Sequence, residues 1–260
     1  MTMFGYNTLG FGAFATRGTP TDANTVLLVR SDTTDGSNVF EDLSSYGHSV
    51  LSVKPDGSAR GCLHSTDDKK MGASSIESTA AAHHLLVPAH SAFNFSTGNW
   101  TVEFWIKPAA TSSNKWYFEM YNGRSSGFNN ISMYHESSST IRGNITSHGS
   151  NDNFTGMASG YDSTDAFHHY AMVRNGDDIN VYADGVASEV TFDASSADFF
   201  ASNPSVVIFG RNTQASVDAG LAAIGGQSMQ GFMDEFKISN IARYTGNFTA
   251  NGTFDYGLSD

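Results

Sequence analysis

Residues Gly231 to Thr249 read GFMDEFKISNIARYTGNFT, and the first half of this stretch decides the fold class. Phe232, Asp234, Phe236 and Ile238 share one phase of an alternation, with Met233, Glu235 and Lys237 in the other. A period of two is that of a β-strand with one buried face. Asp234 is the odd member, a carboxylate travelling with three large apolar residues. An unpaired buried carboxylate is costly, so the fold must supply a cation or several hydrogen-bond donors there. From Asn240 to Thr249 the period stops, and the chain reads as a strap leaving the strand.

The same signal recurs along the chain. Trp100 to Lys107, WTVEFWIK, places Val102, Phe104 and Ile106 on one face and Thr101, Glu103, Trp105 and Lys107 on the other. Further short apolar runs occur at Thr25–Val29, Phe40–Leu43, Ser49–Val53, His84–Val87, Trp116–Met120, Asn130–Tyr134, Thr140–Ile145, Phe167–Arg174, Ile179–Ala183, Val186–Val190 and Val206–Gly210. Asp184-Gly185 suits a two-residue hairpin turn. No window has apolar residues at sustained helical spacing. Segments 56–79 and 144–165 are polar and read as irregular loops, and Asn212 to Met229 as a Gly/Ala/Ser-rich loop. Strands at this spacing predict one all-β, two-sheet antiparallel sandwich.

Composition bounds the function. The 260 residues carry 14 Lys and Arg against 26 Asp and Glu, a formal charge of −12, and no basic patch. Such a surface repels phosphate backbones, so nucleic acid is not expected as a partner. No apolar run reaches the roughly 18–20 residues that span a bilayer, so no membrane insertion is expected. The single cysteine, Cys62, has no disulfide partner within the chain and reads as a small buried residue. The N-terminus lacks a basic n-region, and Gly5, Gly10 and Gly12 break its apolar part, so it does not read as a signal peptide. Residues 1–22 instead suggest a docking arm whose aromatics, Phe4, Tyr6, Phe11 and Phe14, pack against a virion protein or another copy of the chain. Residues 23–260 form the domain.

Three blocks resemble a known family: Asn94–Pro108, NFSTGNWTVEFWIKP; Phe167–Arg174, FHHYAMVR, followed by INVYADG to Gly185; and Gly231–Ser239 with ARYTGNF to Phe248. In this order they resemble the laminin G-like domains of the concanavalin A-like lectin/glucanase superfamily, over about residues 25 to 250. The resemblance implies a jelly-roll sandwich whose sheet and rim loops contact glycans or protein partners. The ARYTGNF ending is also similar to copies of this domain in tailed-phage virion proteins. Many members hold a structural calcium between an early loop and an aspartate of the closing strand, which here implies Asp32 and Asp234. Neutralisation of Asp234 by Arg30, another basic residue or backbone donors is the alternative.

Catalysis is not expected. Glycosidases of this superfamily place Glu-x-Asp-x-x-Glu on one strand so that two carboxylates share a sheet face. None of the seven glutamates here has an aspartate two residues later. His168 and His169 are adjacent, so at most one can act on each face, and a packing or hydrogen-bonding role is the simpler reading. The histidines show no zinc spacing. Trp105, opposite the aliphatic face, is either covered by a second layer or loop or offered to a ligand; Trp116 is the other candidate glycan contact. The Asn-x-Ser/Thr sequons follow from composition. The expectation is a non-enzymatic structural or binding module exposed on a virion, outside the cell after lysis. The alternative is a bacterial carbohydrate-binding module or adhesin.

Overall fold

The computed structural model describes residues 22–54, 58–110, 114–122, 130–137, 140–147, 150–158, 164–189, 191–195, 199, 203–211 and 227–250, with backbone only at 146–147 and 150–158. All of the proposed arm but Asp22, including Phe4, Tyr6, Phe11 and Phe14, lies outside the described residues, as does most of the Asn212–Met229 loop.

Among the described residues there are two sheets, no α-helix and one short 3-10 turn, Ser91–Phe93. The first sheet has nine strands: β1 (Thr25–Val29), β4 (Cys62–Ser65), β5 (Ser75–Ser78), β7 (Trp100–Pro108), β12 (His168–Asn175), β13 (Asp178–Ala183), β14 (Val186–Ala187), β15 (Phe192–Asp193) and β17 (Gly231–Ser239). Its order is β14-β13-β12-β7-β17-β5-β4, with β1 also on β17 and β15 on β13. The second has eight: β2 (Phe40–Glu41), β3 (Ser49–Val53), β6 (His84–Val87), β8 (Lys115–Tyr121), β9 (Asn130–Ser137), β10 (Thr140–Ser147), β11 (Ser150–Ala158) and β16 (Ser205–Ile208), in the order β11-β10-β9-β8-β16-β6-β3-β2. The strands pair antiparallel in both, the sandwich that the alternation predicts.

The core lies between the sheets. Phe104 of β7 meets Tyr117 and Phe118 of the opposite sheet and Tyr170 and Phe236 of its own, at ring separations of 5.7, 5.9, 6.0 and 5.9 Å. Val102, Ile106, Met172, Ile131, Met133, Val206 and Ile208 complete the same buried cluster. The β13–β14 turn uses positive φ at both central residues, 48° at Asp184 and 82° at Gly185, as a type I′ hairpin requires.

Three readings of the sequence are corrected. The alternation over 232–238 is broken by a bulge: Asp234 pairs with Trp105, whereas Lys237 pairs with Glu103, so β17 carries one residue more than β7 between them. Phe232 and Asp234 therefore lie with the outward Lys107 and Trp105, and Phe236 and Ile238 return to the core. The apparent single phase is two phases joined. The bulge sits where β17 exchanges β5 for β1 as its second neighbour. Secondly, segment 144–165 is not one long loop, because β10 and β11 form a hairpin through most of it. Thirdly, segment 56–79 contains β4 and β5, paired from Cys62–Ser78 to Ser65–Ser75.

Candidate functional site

The outer face of the first sheet holds the carboxylates of the closing strand. At the bulge, Glu235 adopts φ 53°, a left-handed conformation that costs a non-glycine residue about 1–2 kcal/mol. Its carboxylate takes a two-pronged contact from Arg30, Nε–Oε1 at 2.5 Å and Nη2–Oε2 at 2.7 Å, which holds the strained residue in place. Arg30 thus pairs with Glu235 and not with Asp234. Asp234 is fully buried, and its oxygens accept from the amides of Met71 (2.9 Å) and Glu235 (3.0 Å). Burial pushes its carboxyl up to about 8, with the neighbouring Glu235 charge adding to the shift and the amide donors opposing it. Asp32 accepts from the amide of Ala73 at 2.7 Å. Both aspartates therefore fasten one loop, at Met71 and Ala73.

Calcium takes about six to eight oxygens. Among the described residues, no group of three or more His, Cys, Asp or Glu side chains is placed to hold a metal ion. Asp32 and Asp234 each accept backbone amides and have no third acidic side chain grouped with them among the described residues, so no role is derived for an ion.

The same loop covers Trp105. Lys107 Nζ meets Asp68 at 2.5 Å, the Ser75 hydroxyl donates to the Asp68 carbonyl at 2.6 Å, and Lys70 places its ammonium 3.9 Å from the Trp105 ring centre. His169 lies beside that ring at 5.2 Å, leaving Trp105 3% exposed. Next to it, Glu103 faces Lys237 (3.4 Å) and His169 (3.3 Å) and accepts from the Tyr244 hydroxyl (2.6 Å). Burial alone would raise the Glu103 carboxyl, but these partners outweigh it and hold it at about 2. The strap closes this face: Tyr244 stacks on Phe248 at 3.6 Å, above Ala171, Val173 and Tyr182. Its near end is tied by Arg243 to Asp22 at 2.6 and 2.7 Å, and its far end by the Phe248 amide to the Gly185 carbonyl at 2.8 Å. His168 meets Asp184 at 2.6 Å. Both adjacent histidines serve hydrogen bonding and packing here.

The outer face of the second sheet has a different character. In the registered rows of β8, β9 and β10, Trp116 pairs with Tyr134 and Tyr134 with Arg142. Trp116 stacks on Tyr134 at 4.3 Å and 11°, and Arg211 lies 4.5 Å from the indole centre. Arg142 meets Glu136 at 2.6 Å, with side chains 23% and 32% exposed. Further along, Glu119 accepts from Asn130, whose carbonyl oxygen accepts from Ser132. The row combines an aromatic pair that is largely covered, Trp116 9% and Tyr134 7% exposed, with planar, charged hydrogen-bonding groups at its accessible margin.

A family model described as concanavalin A-like lectin/glucanases superfamily, of the laminin G type, matches residues 79–245, more than half of the chain. The chain belongs to this superfamily. No curated protein matches it significantly in sequence. Among solved structures, it is similar to the binding domain of Paraclostridial Mosquitocidal Protein 1 (15% identity, 85% of this chain and 50% of that one, TM-score 0.59). It is also similar to domain 4 of AbnA, an extracellular arabinanase of Geobacillus stearothermophilus solved with arabinotriose (14%, 84% and 93%, TM-score 0.59). A third is the receptor binding domain of botulinum neurotoxin D (14%, 85% and 50%, TM-score 0.58). The chain spans about half the length of the two toxin domains. At these identities the likeness is one of fold.

Within this superfamily fold, the two tryptophans singled out in sequence lie on different sheets, and each ring has a cation of the chain against it. Tyr134, Glu136, Arg142 and Arg211 were not singled out. The alternation of Asn130, Ser132, Tyr134 and Glu136 along one strand was a signal for the first two of these. Nothing local marks Arg211, which approaches Trp116 across the sheet.

Proposed function

We propose that this superfamily member is a non-catalytic glycan-binding module. The observation that carries the reading is the outer row of the second sheet, where the Trp116–Tyr134 stack is bordered by Arg211 and by the partly exposed Arg142–Glu136 pair. Sugars present an apolar C–H face and a rim of hydroxyls. The accessible Arg142–Glu136 pair offers hydrogen bonds to that rim, and the edge of the Trp116–Tyr134 stack, 9% and 7% exposed, offers a narrow apolar contact beside it. The arabinanase domain was solved with arabinotriose, and another relative by fold, botulinum neurotoxin type C, is described as depending on two ganglioside molecules for cell entry. Glu103 is committed to a buried ion pair, and no glutamate belongs to the glycosidase motif, which supports binding without turnover.

In this reading the module sits on the surface of a virion, released by lysis, with residues 1–22 docking it to particle proteins or other copies. The ARYTGNF strap and the Phe/Gly-rich arm support that placement. The second reading, a bacterial carbohydrate-binding module or adhesin, is favoured by the arabinanase domain, 93% of whose length is covered. A glycan array probed with the full chain and with Arg142→Ala and Tyr134→Ala tests the binding function. Specific binding weakened by both substitutions is expected, and no signal on any glycan overturns it. Deletion of residues 1–20 that leaves particle association intact overturns the docking role.

A further inference from the structure

At the end of the second sheet remote from Trp116, two loops present an aromatic platform. Its frame is Asp42, whose carboxylate accepts from the amides of Leu28 (2.9 Å), Ser44 (2.8 Å) and His48 (2.9 Å) and from the Ser44 hydroxyl (2.7 Å). The Ser44 oxygen in turn accepts from the Tyr46 amide at 3.2 Å. His48 donates through Nε2 to the Val26 carbonyl at 3.0 Å and rests on buried Phe93 at 4.8 Å. From the other loop, His90 accepts the Ala92 amide at Nδ1 (3.1 Å), and its own amide donates to the Pro204 carbonyl (3.3 Å). With Nδ1 as acceptor, the neutral His90 ring carries its hydrogen on Nε2.

These anchors bring three rings together. Tyr46 is parallel to His48 at 5.5 Å and 8°, and His90 stands edge-on to both, at 4.6 Å from His48 and 6.1 Å from Tyr46. Tyr46 is 46% exposed and His90 is exposed. Core packing does not require an aromatic that is half in water. The hydrogen-bond frame holds the backbone beneath it, and the His48 and His90 rings flank its side chain, which lowers the entropy lost on binding. The loops, SSYGH from Ser44 and AHS from Ala89, place small and polar residues beside the rings rather than apolar bulk. That combination suits a ligand with an apolar face and a hydroxyl rim better than an apolar protein surface.

We infer that Tyr46, His48 and His90 form a separate carbohydrate-contact subsite, taking one sugar ring of an oligosaccharide. The C–H face lies on Tyr46, and a hydroxyl accepts from His90 Nε2. The inference rests on the glycan-binding reading but uses none of the Trp116 row. Pro204, which holds His90, adjoins Ser205, and Ser205 pairs with Tyr121 at the far end of β8 from Trp116. The five residue steps from Trp116 to Tyr121 span roughly 17 Å, so the two sites are energetically separable.

The test uses the full chain on an array of neutral and sialylated oligosaccharides together with arabinotriose. The strongest binder is then titrated into wild type, Tyr46→Ala, His90→Ala and Trp116→Ala by calorimetry, with ring proton shifts of Tyr46 and His90 followed by NMR. Tyr46→Ala is expected to weaken binding about tenfold or more, the scale of an aromatic anchor, with its melting temperature unchanged and wild-type ring shifts moving on titration. Wild-type affinity in both loop variants with unmoved ring shifts overturns the subsite while leaving glycan binding intact. Failure of wild type to bind any probe overturns both.

Discussion

Replacing Glu103 by Gln gives the sharpest test of how the strap face is held together. Glu103 and Lys237 are cross-strand partners, no more than 1% exposed, with Nζ 3.4 Å from the carboxylate. Burial pulls the Lys237 ammonium down, and Glu103 opposes that. Glutamine keeps an acceptor for the Tyr244 hydroxyl but leaves the ammonium buried without its counter-charge. Breaking a buried pair from one side costs about 3–5 kcal/mol, whereas replacing both partners by neutral groups of similar volume is often near neutral. For a domain of this size each kcal/mol moves the melting temperature by about 2–4 °C. Glu103→Gln should therefore lower it by roughly 6–20 °C, and Glu103→Gln/Lys237→Met should recover most of the loss. The assay is a double-mutant cycle by denaturant titration and thermal melting at neutral pH. If the double variant loses the sum of the single losses within about 0.5 kcal/mol, the two side chains are uncoupled and the reasoning fails.

Three further outcomes follow from the same geometry. Glu103, lowered to about 2, contributes stability that is present above its unfolded value of 4.5 and is lost as pH falls towards 2. Asp234, raised to about 8, contributes stability that is complete below 3.8 and is lost as pH rises through 8. The melting temperature should thus peak in mild acid, and a profile still rising at pH 8 would contradict the Asp234 assignment. Gly185→Ala places a Cβ 1.9 Å from the Phe248 carbonyl oxygen at a φ of 82°. The far end of the strap should lift and become cleavable in limited proteolysis, and an unchanged digestion pattern would count against its docking there. Finally, chelated protein melted with and without added calcium should show no shift, since among the described residues no third acidic side chain joins Asp32 and Asp234; a clear rise would place an ion at this pair after all.

Much of the architecture was legible because strand periodicity is local. The alternation of Trp100–Lys107 fixed which residues of β7 enter the core, and the Asp184-Gly185 pair fixed a turn that needs positive φ twice. The bulge in β17 was hidden for a physical reason. One inserted residue converts two opposed phases into one continuous alternation, so Asp234 looked inward when it faces Trp105 on the outside. Thr140–Ile145 of β10 was legible, whereas β11 was not, because Ser150–Ala158, SNDNFTGMA, is mostly polar and lacks an alternating apolar set.

The sequence by itself determined the all-β class, the order of the family blocks and the outward phase of Trp105, because each depends on neighbours two to a dozen positions away. Tertiary structure alone decided what those residues meet. Trp105 and Trp116 receive Lys70 and Arg211 from distant parts of the chain, and Asp234 receives Met71. Tyr46 and His90 become one surface only when two loops converge at a sheet end. Such contacts are set by strand order and register, and no local pattern of residues encodes which loop will close over which face.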